Sequence, residues 1–470
     1  MTSTVPQNPE LLNNLYDLLE ASRRVFSQQR VYERAQALLL SEVMVFGRHT
    51  ITQLLMTLGE TETDWSAWYR LFSEERFEAE QASELLVRES LKHVGPDEVY
   101  VVAGDGTQTP RSSRKIEGTG WLRNLRTPHF MVGIHYAQRW FNGSWLVPAE
   151  NGYSRAIPLR WLPAFTAKAT RAVTPACKEW EATVLFLDWL HACLARAGRA
   201  DQRVLMVGDG HYDTLKLWQH LPAGVILLAR SAKNRALYAL PPRPAHGNRK
   251  YGERAPTPQA FWRKRKGWCK LDLLVRGQMR HLQVRVEGPF LRRGAPDIPL
   301  FLIVVRGKHR TRNGRIVRRD PLPFLVNAVQ DERGNCQLPL PLETLLFWAW
   351  QRWEIEVCHR ELKSNFGLGH KQCFNPQAAI LSVQWSAWAY ALLVLAAYRT
   401  WGLCTGPPVP TRWWRGAGRW SFNTMWRAYR AALWGPYDFQ PLRFAIPTNL
   451  PEKTTFLMGL ANSIYAAARA

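Results

Sequence analysis

Twice in this chain an apolar run stops at Asp-Gly. The first is "EVYVVAGDGT", which reaches Asp105, and the second is "RVLMVGDGHYDT", which reaches Asp209. Each reads as a buried strand that ends in an aspartate and a glycine turn, and the second runs on into a helix that Asp213 or Thr214 can cap. Asp-Gly also makes ordinary turns. The repetition points to an α/β fold, in which a carboxylate at the C-terminal end of a strand projects from the sheet edge where ligands collect.

The segments between and around these blocks have their own periods. From Glu10 to His93 the pattern is helical, and within it Thr50 to Leu58 and Trp65 to Phe72 form two short helices separated by a turn at Gly59. That is the spacing of a DNA-binding helix-turn-helix, and equally of a plain helical bundle. After Gly95-Pro96 the period is that of strands, with "HFMVGIHYAQRW" and "GSWLVPA" as two strands of a meander and a helix from Pro175 to Ala197. A further strand, "GVILLARS", follows the second aspartate block. Residues 241–338 are rich in Pro, Gly and Arg, with alternating runs such as "HLQVRVEG" and "PLFLIVVRG", and read as a mostly β insertion. From Ala378 the chain is helical and rich in Trp.

A third carboxylate stands out in "WAWQRWEIEVCHRELKSNFGLG", Trp348 to Gly369, which reads as one helix closed by Gly-Leu-Gly. At about 100° per residue, Arg352 and Arg360 fall about 40° either side of Glu356 and Lys363 about 20° away. Glu354 lies about 160° round the same helix and faces elsewhere. Trp348, Ile355, Leu362 and Phe366 make an adjoining apolar stripe. Glu356 is thus the carboxylate set among cations, whether as an ordinary i,i+4 pair with Arg360 or as part of a site.

Charge narrows the partners. The net charge of +24 comes from 62 Lys and Arg spread over 470 residues, so the folded surface is strongly positive and suits a polyanion. The N-terminus is polar and has no signal-peptide pattern. The longest apolar run, Ile380 to Tyr398, contains Ser382, Gln384 and Ser386, which favours a core helix over a membrane span. Seven scattered cysteines without a CxxC pair fit a reducing cytosol. Cys358-His359 and His370-x-x-Cys373 fit a zinc site poorly, because the adjacent residues of the first pair point to different helix faces.

Asp105, Asp209 and Glu356 together form a set of hard oxygen donors. Three carboxylates in one pocket repel each other and call for cations, for which Mg²⁺ or Mn²⁺ is suited, and two such ions serve phosphodiester chemistry. Arg352, Arg360 and Lys363 would then flank the place of a DNA phosphate backbone. At this point the sequence resembles the DDE transposases of bacterial insertion sequences, in the group marked by a Tyr-x2-Arg-x3-Glu-x6-Lys signature. Arg352, Glu356 and Lys363 match it at the right intervals, and "DGT" at Asp105 and "DGHYD" at Asp209 resemble the first and second catalytic blocks. The tyrosine position holds Ala349 instead.

The resemblance covers roughly residues 95–375. It implies an α/β fold with a ribonuclease H-like catalytic core carrying a β-rich insertion, flanked by helical N- and C-terminal regions. The expected organisation is a helical DNA-binding region over 1–95, core over 96–240, insertion over 241–338, core with the glutamate helix over 339–400, and a helical region over 401–470. It also implies catalysis and metal ligation by Asp105, Asp209 and Glu356, with Arg352, Arg360 and Lys363 on DNA and two Mg²⁺ or Mn²⁺ ions as cofactor. Expected partners are double-stranded DNA, as terminal inverted repeats and target, and a second copy in a homodimer that pairs two ends. No membrane is expected, and the location is the bacterial cytoplasm at the nucleoid. The basic clusters at 263–266 and 306–319 are candidates to track the DNA backbone, with Trp262 or Trp268 to stack on an unpaired base. A nuclease of the same fold that does not join strands, and a catalytically inactive DNA-binding descendant, are the rival readings.

Overall fold

The computed structural model describes residues 9–74, 76–124, 127–128, 130–242, 250–310, 314–318, 320–408, 418–434 and 463–464. The chain opens with five helices, α1 (Pro9–Ala21), α2 (Gln29–Met44), α3 (Ile51–Thr57), α4 (Ser66–Ser73) and α5 (Ala79–Leu91). Strands β1 (Tyr100–Pro110), β2 (Thr119–Arg123), β3 (Ile134–Leu146) and β4 (Ala156–Pro163) follow, then α6 (Glu179–Arg196), β5 (Val204–Gly208), α7 (Leu215–Gln219), β6 (Val225–Arg230) and β7 (Tyr238–Ala239). The next stretch holds α8 (Pro258–Arg263), β8 (Cys269–Val275), β9 (Gln278–Arg292), β10 (Ala295–Arg306), β11 (Lys308–Arg310), β12 (Ile316–Arg318) and β13 (Leu322–Asn327). Four helices complete it: α9 (Leu342–Gln351), α10 (Trp353–Ser364), α11 (Pro376–Trp401) and α12 (Phe422–Trp434).

The core is a mixed sheet in which β4, β3, β1, β5 and β6 lie side by side. β1, β5 and β6 are parallel, and β3 is antiparallel to both β1 and β4. Every residue of "VLMVG" in β5 is buried, as expected of a parallel strand covered on both faces. Helix α6 covers one face, and α10 and α11 cover the other. This mixed sheet with helical flanks is the ribonuclease H-like arrangement. The sheet does not stop at β6: β13 pairs with it antiparallel, β10 pairs with β13, and β9 with β10. The strands of residues 241–338 therefore continue the core sheet.

Several local expectations need revision. β1 does not end at Asp105 but runs on to Pro110, because β3 continues to pair with it after β5 has stopped. The two expected meander strands at 129–147 are a single strand, β3, of 13 residues. The expected single helix from Trp348 to Gly369 is two, α9 and α10, which meet at Arg352. There Ile355 N bonds Arg352 O, a tighter i→i−3 turn than the α-helical repeat. Thr214, not Asp213, caps α7, its side chain accepting from Leu217 N at 3.2 Å. The cluster at 306–319 falls partly outside the described residues, at 311–313 and 319, and so does most of the expected C-terminal region, at 409–417, 435–462 and 465–470.

The pair α3 and α4 has the expected positions, with Thr50 capping α3 at Gln53 N. The buried face of α4, Trp68, Leu71 and Phe72, packs on α11. α11 is long and apolar enough to cross a membrane, with a mean hydropathy of 1.6 in its most apolar window, yet 89% of that window is buried within the molecule. A helix apolar on all sides belongs inside, and α11 is enclosed by α1, α4, α5 and β4.

Candidate active site

The parallel pairing of β1 with β5 ends at Ala103 opposite Val207. Two residues further on in each chain segment stand Asp105 and Asp209. Both lie at the end of β5, where β1 outruns its neighbour. Asp105 is half-buried, and residue alternation turns it to the opposite sheet face from Gly104 and Gly106. Asp209 is half-buried, and its Oδ1 accepts from the backbone N–H of His211 at 2.8 Å. Among the described residues Asp209 has no ion-pair partner, and Asp105 has only His359, whose Nδ1 lies 3.5 Å from Oδ2.

Helix α10 brings the third carboxylate. It runs along β1: His359 reaches Asp105, and one turn later Lys363 Nζ donates to Thr107 Oγ1 at 2.5 Å. Glu356 is one turn before His359. Its carboxylate is held by Arg352, Nη2 to Oε1 at 2.5 Å, so its cationic partner is four residues before it rather than Arg360 four after. Arg360 is exposed on the same helix. Behind the site, buried Glu361 accepts from Arg155 at 2.6 Å and from Tyr390 Oη at 2.5 Å, and Glu354 pairs with Arg276 of the insertion at 2.8 Å. These contacts fix the helix on the sheet and across to 241–338.

The structure thus sets Asp105, in the middle of β1, beside Asp209, just past the end of neighbouring β5, and lays the helix bearing Glu356 alongside, with the Glu356 carboxylate turned onto Arg352. Among the described residues no three His, Cys, Asp or Glu side chains are gathered closely enough to cage a metal ion. The donor set nonetheless suits a hard divalent cation: it is all oxygen, and no Lys or Arg side chain pairs with Asp105 or Asp209 among the described residues. The phenol of Tyr212 reports the concentration of charge here. Burial first, and then the negative charges of Glu179, Asp105 and Asp209, push it well above its ordinary value.

Some of the surrounding residues carry no sequence signal. Asn142 stands opposite Asp105 on β3, and its amide lies 3.0 Å from His359 Nε2. Ser144 Oγ donates to the amide oxygen of Asn142, which leaves the amide nitrogen to face the imidazole. Glu179 lies on the other sheet face, directly over Gly106, where an added Cβ would meet its carboxylate at 2.4 Å. It accepts from Tyr212 Oη at 2.9 Å and pairs with Arg139. Arg139, Tyr212 and exposed His211 line a cleft of about 580 Å³ with Phe165, Trp180 and Lys178. His359 was detectable in principle, since it shares a helix face with Glu356 at a spacing of three. Glu179 and Asn142 were not, because only the folded sheet brings them near.

Asp213 is neither cap nor ligand. Its buried carboxylate pairs with Arg235 at 2.6 Å and Arg292 at 2.8 Å, and it accepts from Ser231 and from the Trp218 indole. The hub joins the loop after Asp209 to strand β9. The expected role of Trp262 or Trp268 in base stacking meets a competitor, since the guanidinium of Arg306 stands 3.8 Å from the centroid of the Trp268 ring and 5.7 Å from that of Trp262.

A family model described as DDE superfamily endonuclease matches residues 17–288, more than half of the 470. The chain belongs to the DDE superfamily of endonucleases. The match takes in Asp105 and Asp209 and ends in β9, short of Glu356. Endonucleases of this superfamily generally use divalent metal ions, in keeping with the oxygen donors at the end of β5. No curated protein matches the chain.

Proposed function

We propose that this DDE endonuclease is a transposase, which cleaves DNA at the ends of an insertion sequence and joins the freed 3′-hydroxyls to a target duplex. The observation that carries the reading is that Asp105 in β1 and Asp209 just past the end of neighbouring β5 lie beside a helix that carries Arg352, Glu356, Arg360 and Lys363. Asp105, Asp209 and Glu356 would hold the divalent ions, Mg²⁺ or Mn²⁺, and Glu356 would leave Arg352 to do so. When bound, two such ions activate the attacking oxygen and stabilise the leaving oxygen of a phosphodiester.

The chain's own residues do the rest. His359, fixed by Asn142, holds the Asp105 carboxylate in place at the sheet end. Arg352, once released from Glu356, and Arg360 offer charge-assisted hydrogen bonds to non-bridging phosphate oxygens, and Lys363 places a point charge beside them. In this reading the DNA partners are the terminal inverted repeats and the target, bound in a homodimer at the bacterial nucleoid.

The test uses DNA flanking the gene as substrate, incubated with purified protein and Mg²⁺ or Mn²⁺. Cleaved ends that become covalently joined to a second duplex, with joining abolished by Asp105→Ala, Asp209→Ala or Glu356→Ala, are the expected result. Cleavage without joining would leave a nuclease of the same fold. DNA binding without any cleavage would favour an inactive descendant, a reading to which Ala349 at the signature tyrosine position lends support. Full joining activity in the three variants would overturn the site.

A further inference from the structure

The β2–β3 hairpin extends the sheet beyond the residues that the proposed chemistry uses. β2 pairs with the first half of β3, Trp121 opposite Tyr136 and Arg123 opposite Ile134, without a register shift. Opposed residues share a face, and so do residues two apart. Trp121, Arg123, Ile134 and Tyr136 therefore lie on one side. The Trp121 ring packs edge-on to Tyr136, and the Arg114 guanidinium stands over both rings. The same alternation carries back along β3 to Asn142, the partner of Asp105. This basic and aromatic surface is a continuation of the sheet face that bears the candidate catalytic aspartate.

Among the described residues leading out of the turn, three consecutive apolar side chains are bare: Phe130 is 87% exposed and Val132 81%, with Met131 exposed between them. Exposed apolar surface of this density marks an interaction site. The charge around it says with what. Arg114, Lys115 and Arg123 are exposed, whereas the only acidic residue of 111–136, Glu117, is buried and bonded to the backbone of 172–174. A second copy of a chain with a net charge of +24 is a poor partner for such an arm; a polyanion is a good one.

We propose that the β2–β3 hairpin is a second DNA-binding arm, whose Arg114 and Arg123 contact the phosphate backbone and whose Phe130 and Val132 press into a groove. The proposal rests on the reading of the chain as a protein that acts on DNA. The eight residue-to-residue steps of β3 from Asn142 to Ile134 span about 26 Å at about 3.3 Å each. At about 3.4 Å per base pair, the arm engages the duplex about eight base pairs from the phosphate at Asp105. Apolar side chains that wedge between base steps beside arginines are an established way to hold a duplex.

The experiment is a salt titration of the full-length protein with a fluorescein-labelled mixed-sequence 30-base-pair duplex, read by anisotropy. In Arg114→Gln/Arg123→Gln, loss of two phosphate contacts makes the slope of log K against log salt shallower by about 1.8. In Phe130→Ser/Val132→Ser, binding weakens several-fold at every salt concentration with the slope unchanged, because an apolar contact releases no counterions. All four side chains are exposed, and circular dichroism checks that the variants fold. If the unaltered protein binds the duplex and both variants match it in slope and affinity, the arm is not a DNA contact, while the DNA reading stands. If the variants bind DNA as the parent does but sediment as a smaller species, the hairpin is an interface between copies and the proposal is overturned. An unaltered protein that does not bind the duplex at all overturns both readings.

Discussion

At the scale of single residues, the buried pair Glu42–Lys371 shows what distance along the chain conceals. Lys371 Nζ lies 2.6 Å from Glu42 Oε1, and His49 Nδ1 lies 2.5 Å from the other carboxylate oxygen. Both partners of the lysine pair are almost fully buried. Burial alone would raise the Glu42 carboxyl, but Lys371 and His49 hold it below its ordinary value. Removing one member of such a pair strands a charge. Lys371→Ala is therefore expected to cost about 3–5 kcal/mol in denaturant unfolding, and Lys371→Met combined with Glu42→Leu to recover most of that loss.

Beside the pair, His370 Nδ1 accepts from the backbone N–H of His49 at 3.1 Å. Burial, and then the neighbouring cations, lower its imidazole to about 4 from an ordinary 6.5. Between those values the unfolded chain binds more protons than the folded one, so stability falls as pH falls. The loss begins near 6.5 and is complete below about 4. Glu42 adds its own loss below its ordinary 4.5. The guanidinium midpoint should drop as pH is lowered from 7.5 to 5, and His370→Asn should flatten that drop. None of this was legible in the sequence, since Glu42 and Lys371 are 329 positions apart. The placement of Asp105 and Asp209 on neighbouring segments was legible, because each follows a short apolar run that reads as a buried strand.

At the scale of elements, what could be read was what a strand or helix does by itself. The α3–α4 pair, α6 and the strand β5 stand where their periods put them. What could not be read was how neighbours extend or interrupt them. β1 outruns its apolar segment because β3 goes on supplying hydrogen bonds, and the break at Arg352 lies inside a segment with an unbroken helical pattern. The stretch 241–338 reads as an insertion by composition, yet β13 holds the edge of β6 and β10 holds that of β13. Excision of 241–338 would expose that edge and remove Arg292 and Arg276 from buried Asp213 and Glu354. Such a shortened chain is expected not to fold, giving neither a cooperative thermal transition nor soluble protein; a well-folded core from the excised chain would show that the added strands are dispensable.

At the scale of the whole molecule, the charge and the sheet act together. The excess of 24 positive charges favours a polyanion as partner, and at the end of the sheet where β1 outruns β5 stand Asp105 and Asp209, neither of which pairs with a Lys or Arg among the described residues. The long strand β3 links this end to the exposed hairpin, so that one rigid element spans both.

The enclosure of α11 has a consequence for how the protein comes into being. A growing chain folds from its N-terminus as it leaves the ribosome, and α11 emerges only after every strand of the core sheet. Until residue 401 has appeared, the apolar sides of α1, α4, α5 and β4 that α11 covers stay open. The keystone is therefore laid late, and a message interrupted anywhere before it yields a sticky, unfinished product in need of chaperones.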